Sequence, residues 1–183
     1  MTCRECAMLN ANQRQMLTAA AGGLFGYALA LTRNRDSAAD LVQDCVVRAI
    51  SAKQAPQDER AFRAWLFTIA RHLWFDRLRS WRRRRAMQEA VDLDQRTSGA
   101  LYEITVTHLA VREAFFLLSE NHRDVLALVD IGGLTYDETA ELLRIKRGTV
   151  MSRVSRARAA LAEKLSGPHV VELPRKGKGM RRG

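Results

Sequence analysis

Three short segments concentrate the cationic chemistry of this chain. Residues 77–85 contain Arg77, Arg79, Arg82, Arg83, Arg84 and Arg85. Residues 144–158 contain Arg144, Lys146, Arg147, Arg153, Arg156 and Arg158, and residues 175–182 contain Arg175, Lys176, Lys178, Arg181 and Arg182. None of these segments includes an acid, and together they hold 17 of the 30 Lys and Arg. The rest of the 183 residues carries 13 basic and 20 acidic groups, so the formal charge of +10 rides on a body of net −7. Patches of one sign raise the local potential and attract polyanions, and guanidinium groups suit both phosphates and guanine edges. One such run is usually a solvated face; three acid-free runs point to nucleic acid. Catalytic chemistry is not suggested: no nucleophile–base pair, phosphate loop or HExxH is visible. Cys3-Arg4-Glu5-Cys6 has CxxC spacing, but Cys45, His72, His108, His122 and His169 are scattered and supply no second ligand pair for zinc. No metal or cofactor is expected.

Helices must position these groups. Apolar residues make up 47% of the chain, charged residues 27%, and only three prolines occur, a composition that supports a packed helical core. Residues 13–32 place Leu17, Leu24, Tyr27, Ala28 and Leu31 on one side. A second helix, about 38–52, carries the stripe Leu41, Val42, Cys45, Val46, Ala49 and Ile50, with Asp40, Gln43 and Asp44 off it. In the third, Phe62, Trp65, Leu66, Ile69, Ala70, Leu73 and Trp74 recur at helical spacing before the Arg run begins. Aromatic side chains beside Arg are what single-stranded bases stack on. Periodicity assigns Trp65 and Trp74 to the core and leaves Phe67 and Trp81 as freer stacking candidates. Residues 88–100 lose all period and read as linker.

Beyond the linker come a helix near 106–117 and another around 125–131, stopped by Gly132-Gly133. Thr135-x-x-Glu138 is a capping box opening a short helix over 136–143. A tight turn at Arg144-Ile145 leads to a last helix from about Arg147 to Leu165, which Gly167-Pro168 ends. This is the pattern of a helix-turn-helix. On a helical wheel Val150, Val154, Ala157 and Leu161 fall within about 40° of one line and should be buried. Gly148, Ser152, Ser155 and Arg156 point the opposite way, with Thr149, Met151 and Arg153 on the flanks. Small hydroxyls and guanidinium groups on an outward face suit a major groove.

These blocks resemble a known family. Asp40-Leu41-Val42-Gln43-Asp44, Phe62-Arg63-Ala64-Trp65-Leu66-Phe67-Thr68-Ile69-Ala70-Arg71 with Asp76-Arg77-Leu78-Arg79, and Gly133-Leu134-Thr135-Tyr136-Asp137-Glu138-Thr139-Ala140 with Gly148-Thr149-Val150-Met151-Ser152-Arg153 stand in the order and spacing of the bacterial extracytoplasmic-function (ECF) sigma factors. The resemblance covers about residues 17–85 and 106–165. His72 stands where that family usually has Asn, Met151 where Lys or Arg is common, and Leu118-Ser119-Glu120 lacks the family's proline.

The resemblance implies an all-α fold of two small helical domains on a flexible linker, the second with the helix-turn-helix. Residues 10–86 would form the first domain, 87–104 the linker and 105–166 the second domain; residues 167–183 are extra to the family's pattern, and their glycines, prolines and basic groups read as a disordered basic tail. Core RNA polymerase would bind at Asp40, Leu41, Gln43 and Asp44. The minus-ten element, as melted single strand, would meet Phe67, Arg71, His72, Arg77, Arg79 and Trp81. The minus-thirty-five duplex would meet Lys146, Arg147, Thr149, Met151, Ser152, Arg153, Ser155 and Arg156. An anti-sigma factor is the implied regulator. The protein is expected to be a cytoplasmic monomer when free: no apolar run approaches the ~18–20 residues of a membrane span, and no signal peptide is apparent. A stand-alone repressor would use the same helix-turn-helix but leaves the Asp40–Asp44 segment and the aromatic-basic helix without a role. A third reading is a pure interaction protein that sequesters a polymerase component or regulator.

Overall fold

Short-range capping signals set most of the helix ends in the structure, a computed structural model that describes residues 9–87 and 106–166. Helix α1 (Ala11–Thr32) opens on a capping box. The Asn10 side chain accepts from the Gln13 N–H at 2.8 Å, and Gln13 Oε1 accepts from the Asn10 N–H at 3.0 Å. Gln13 Nε2 also donates to the carbonyls of Ala55 and Pro56, which ties α1 to the loop before α3. The C-cap of α1 is Arg33 in the left-handed region at φ 59°, a conformation most side chains avoid. Asn34 then caps α2 (Arg35–Ile50) by accepting from the Ser37 N–H at 2.9 Å. Helix α3 (Glu59–Met87) starts where Asp58 accepts from the Ala61 N–H, and it runs one residue past the expected boundary at 86.

These three helices form the first bundle. Leu24, Tyr27, Leu31, Leu41, Cys45, Phe62, Leu66 and Ala70 fill its core, and Trp65, Leu73 and Trp74 pack on the edge as their periodicity predicts. The second bundle comprises α4 (Val106–Phe116), α5 (Glu120–Leu126), α6 (Tyr136–Leu143) and α7 (Arg147–Ser166). Ser119 caps α5 in the absence of the proline. The Thr135–Glu138 capping box is present, and Arg144 ends α6 at φ 56°. The predicted wheel of α7 is observed: Val150, Val154 and Ala157 are buried against Leu118, Val125, Leu126 and Ala140, with Leu161 partly buried beside them.

One feature departs from the sequence reading, and a second lies outside what that reading addressed. Helix α5 does not simply continue to the glycines. It widens into a π-helical segment, Ala127–Ile131, whose last turn is closed by the Gly132 N–H donating to Ala127 O at 2.8 Å. The bundles also do not stand apart. Ala127, Leu128 and Leu134 of the second bundle join the core of the first, because α1 and α3 offer an apolar notch that the widened turn fills. Gly132 lies so near Phe67 that a Cβ there would stand 2.5 Å from the ring, and a Cβ at Gly26 would stand 2.6 Å from Ile131 Cγ2. Glycine at both positions permits the close approach. The expected linker from 88 on, the basic tail, Cys3 and Cys6 lie outside the described residues.

Candidate nucleic-acid interface

Three faces carry the residues singled out by the sequence. On α2, Asp40, Gln43 and Asp44 are exposed, as their place off the core stripe requires. Leu41 is 0% exposed and packs in the core. Its assignment to a partner contact is therefore corrected: the stripe residue holds the helix and its side chain is not available at the surface. Two apolar residues on this side are exposed and were not singled out for a partner. Val47 is 57% exposed and Ile50, expected in the core stripe, is 38% exposed. Val47 follows Asp40 by seven residues and Asp44 by three, so all three share one face. An apolar residue in register with off-stripe acids was the available signal.

Helix α3 divides into two parts. Beyond Trp74 it turns basic side chains outward: Arg79, Arg82, Arg83 and Arg84 are exposed, and Trp81 is 40% exposed. Arg77 pairs with Asp44 across to α2, and Arg79 pairs with Asp76 one turn back. His72 is exposed. Arg71 and Phe67 behave differently. Phe67, expected to be a free stacking residue, is fully buried; its ring centroid lies 5.3 Å from that of Tyr27, and its far edge meets Gly132. The second bundle covers it, which no pattern within α3 could reveal. The Arg71 guanidinium lies 4.5 Å over the Phe75 ring and donates through Nε to Asp124 Oδ2 at 3.0 Å.

Asp124 is the polar centre of the contact between the bundles. It is 6% exposed and accepts from the Tyr27 hydroxyl at 2.8 Å as well as from Arg71. Burial, and then the adjacent carboxylate, push the Tyr27 pKa well above its ordinary 10.0. Arg123 beside it is also buried and donates to Ala30 O on α1 and to Leu118 O on its own side. Arg33 closes the same seam by donating to Phe116 O. A buried cation satisfied by carbonyls at helix ends meets the partial negative charge there. The sequence reading placed Tyr27 in the core and Arg71 toward DNA, and gave Asp124, Arg123 and Arg33 no role. Cys45 is buried with its Sγ 3.4 Å from Leu66 O, and burial pushes its thiol up to about 12.

The third face is α7. Lys146, Arg147, Met151, Ser152, Ser155 and Arg156 are exposed, and Thr149 and Arg153 are half-buried on the flanks. Helix-backbone contacts orient several of them: Ser152 Oγ donates to Thr149 O at 3.0 Å, and Arg156 Nε donates to Ser152 O at 3.2 Å. The segment contains no acid, but the fold brings two to its edges. Arg147 Nε lies 3.1 Å from Asp137 Oδ1, and Arg158 Nη2 lies 2.6 Å from Asp130 Oδ1. Arg153 and Arg156 remain as guanidinium groups of the outward turns. Helices α6 and α7, joined by the Arg144–Lys146 turn, thus place a largely polar and cationic surface, with Met151 exposed within it, over a buried Val150–Val154–Ala157 seam. Among the described residues no helix is long and apolar enough to cross a membrane.

Comparison with known proteins divides the chain at the same place. The family described as Sigma-70 region 2 matches residues 16–85, and the family described as Sigma-70, region 4 matches residues 108–161. The chain is 34% identical over 152 residues to the ECF RNA polymerase sigma factor EcfG of Rhodopseudomonas palustris, covering 81% of this chain and 82% of that protein. It is 34% identical over 142 residues to the ECF RNA polymerase sigma factor SigL of Mycobacterium tuberculosis, covering 75% of this chain and 80% of the other. Among solved structures, the sigma factor RpoE in complex with the anti-sigma factor NepR from Bartonella quintana aligns at a TM-score of 0.68 with 28% identity, over 83% of this chain and 95% of that one. CnrH in complex with the cytosolic domain of CnrY aligns at 0.58 with 27% identity, over 85% and 90%.

Proposed function

The chain belongs to the ECF RNA polymerase sigma factors, and from that premise we propose how its faces divide the work of promoter-specific initiation. The α2 face of Asp40, Gln43, Asp44, Val47 and Ile50 binds core RNA polymerase: its carboxylates steer a basic partner surface and its exposed aliphatics supply area to bury. The outer part of α3, from His72 through Arg77, Arg79 and Trp81 to Arg84, receives the minus-ten element as melted strand, by stacking and by phosphate pairing. Helix α7 enters the major groove of the minus-thirty-five duplex with Lys146, Arg147, Thr149, Met151, Ser152, Arg153, Ser155 and Arg156. The observation that carries this reading is the α6–α7 pair, whose polar and cationic side faces solvent while Val150, Val154 and Ala157 anchor it. The protein makes and breaks no covalent bond itself and works in the cytoplasm.

Both elements cannot be read from the packed arrangement. Elements 25 base pairs apart are separated by about 85 Å at 3.4 Å per pair. A compact body of some 140 residues is only about 35–40 Å across. Parting the bundles resolves this, since residues 88–105 reach about 60 Å when extended; it also uncovers Phe67 and releases Arg71 from Asp124. An anti-sigma factor, the partner named for the RpoE neighbour, is the regulator proposed here, acting by holding the bundles where these faces are covered. Run-off transcription with purified core polymerase on genomic promoter fragments tests the reading. Specific start sites that depend on added protein support it; duplex binding with no initiation at any salt concentration makes the chain a repressor instead.

A further inference from the structure

The outward face of α7 has one member that its polar neighbours do not explain. Met151, in the second turn, is 44% exposed and sits between Arg147, Ser152 and Ser155. Its neighbour Val150 and the next-turn Val154 are fully packed, so the rotation of the helix is fixed and Met151 is held out of the core. The thioether is also braced. Arg147 Nη1 lies 3.6 Å from Met151 Sδ while Arg147 Nε pairs with Asp137. A lone apolar residue on an idle surface needs no explanation. This one stands in the N-terminal half of the recognition helix, the part that meets base edges.

Major-groove chemistry narrows what Met151 can recognise. Every base edge there displays donors and acceptors, and the single apolar group is the C5-methyl of thymine. A thioether donates nothing and accepts weakly, so it gains little from guanine, cytosine or a phosphate. We propose that Met151 is a specificity residue that selects a thymine in the upstream duplex through van der Waals contact with its C5-methyl, in an orientation prepared by the Arg147–Asp137 pair. This inference rests on the placement of α7 in the major groove. Burying one methyl group changes affinity about fourfold.

Holoenzyme reconstituted from core polymerase and the full chain selects duplexes from a library randomised across both elements. Each thymine of the enriched upstream element is then replaced in turn by deoxyuridine, which lacks only the methyl. The expected result is a roughly fourfold loss at one position for the wild type, and no loss there for Met151→Ala, whose helix content is checked by circular dichroism. Met151→Lys should shift the enriched base at that position from thymine toward guanine. An upstream element without thymine, tolerance of deoxyuridine at every thymine, or the same uridine penalties in Met151→Ala overturns the inference while leaving α7 as the reader. Failure to enrich any upstream element overturns the reading of α7 and this inference with it.

Discussion

Replacing Asp124 by alanine should loosen the contact between the bundles while sparing each bundle. The carboxylate is nearly buried, with the Tyr27 hydroxyl at 2.8 Å and Arg71 Nε at 3.0 Å. Breaking a buried charged pair from one side costs about 3–5 kcal/mol. Here the Arg71 side chain is 26% exposed and can turn to water, so its share is discounted. The fully buried Tyr27 hydroxyl loses its acceptor, at about 1–3 kcal/mol. A net loss of about 2–3 kcal/mol falls on the contact, because parting the bundles would hydrate Tyr27 and remove the penalty. At 1.4 kcal/mol per tenfold, the parted form gains roughly 30- to 150-fold over wild type. Asp124→Asn keeps an acceptor for Tyr27 and should cost about half as much. Small-angle X-ray scattering on the full chain reads the expansion, and urea unfolding separates it from global instability: the variant should show an enlarged radius and a transition split in two. Scattering and urea midpoint both indistinguishable from wild type would refute the role of Asp124.

Alkaline pH should weaken the same contact. The folded chain keeps the Tyr27 proton above the ordinary pKa of 10.0, whereas the unfolded chain releases it, so stability holds below about pH 10 and falls as pH rises beyond it. Urea midpoints at pH 9 and 11 should differ more for wild type than for Tyr27→Phe, and equal slopes contradict the assignment. Two glycines should respond with opposite sign: Gly22→Ala, with nothing within 4 Å, should raise stability by about 0.5–1 kcal/mol. Gly132→Ala drives a Cβ to 2.5 Å from Phe67 and should lower stability by about 1–3 kcal/mol; thermal melts of both variants check the pair. Asp40→Lys with Asp44→Lys should abolish capture by core polymerase with an unchanged melting temperature, whereas Leu41→Asp, at a fully buried position, should unfold the first bundle; capture that survives the double variant rules out the α2 face.

Features decided within one or two turns were legible in the sequence. The Thr135–Glu138 box works through groups three residues apart, and the burial of Val150, Val154 and Ala157 follows from helical period alone. The exposure of Asp40, Gln43 and Asp44 follows from the same period. The Asp124 centre has no such signature. Its partners lie 97 and 53 residues away, and nothing in the pattern of α5 says that an aspartate in its middle will be buried. The widened turn at Ala127–Ile131 was hidden too: Gly132 at its end packs against Phe67 on another helix, a contact between residues 65 apart that no local pattern carries.

Apolar residues outside the buried core stripe of their own helix are then informative, and two sets among the described residues make the contrast. Phe67 lies beside the stripe of α3 rather than on it, with Gly23 and Gly26 of α1 opening space above; the fold covers that set with its own second bundle. Val47 lies beside the stripe of α2 and Ile50 at its exposed end, on the side of Asp40 and Asp44, and no described element covers them. Both sets have the same physical requirement, removal of apolar surface from water. For one it is met within the chain, by a contact that a few kilocalories can undo. For the other, the polymerase surface proposed above would meet it, and the neighbouring carboxylates would favour a basic one. On the proposed reading, loading onto polymerase exchanges the first kind of contact for the second, so the Asp124 centre and the α2 face should be energetically linked: variants that part the bundles should bind core polymerase more tightly even though they leave the α2 face untouched, and unchanged affinity in a polymerase titration of Asp124→Ala would refute the link.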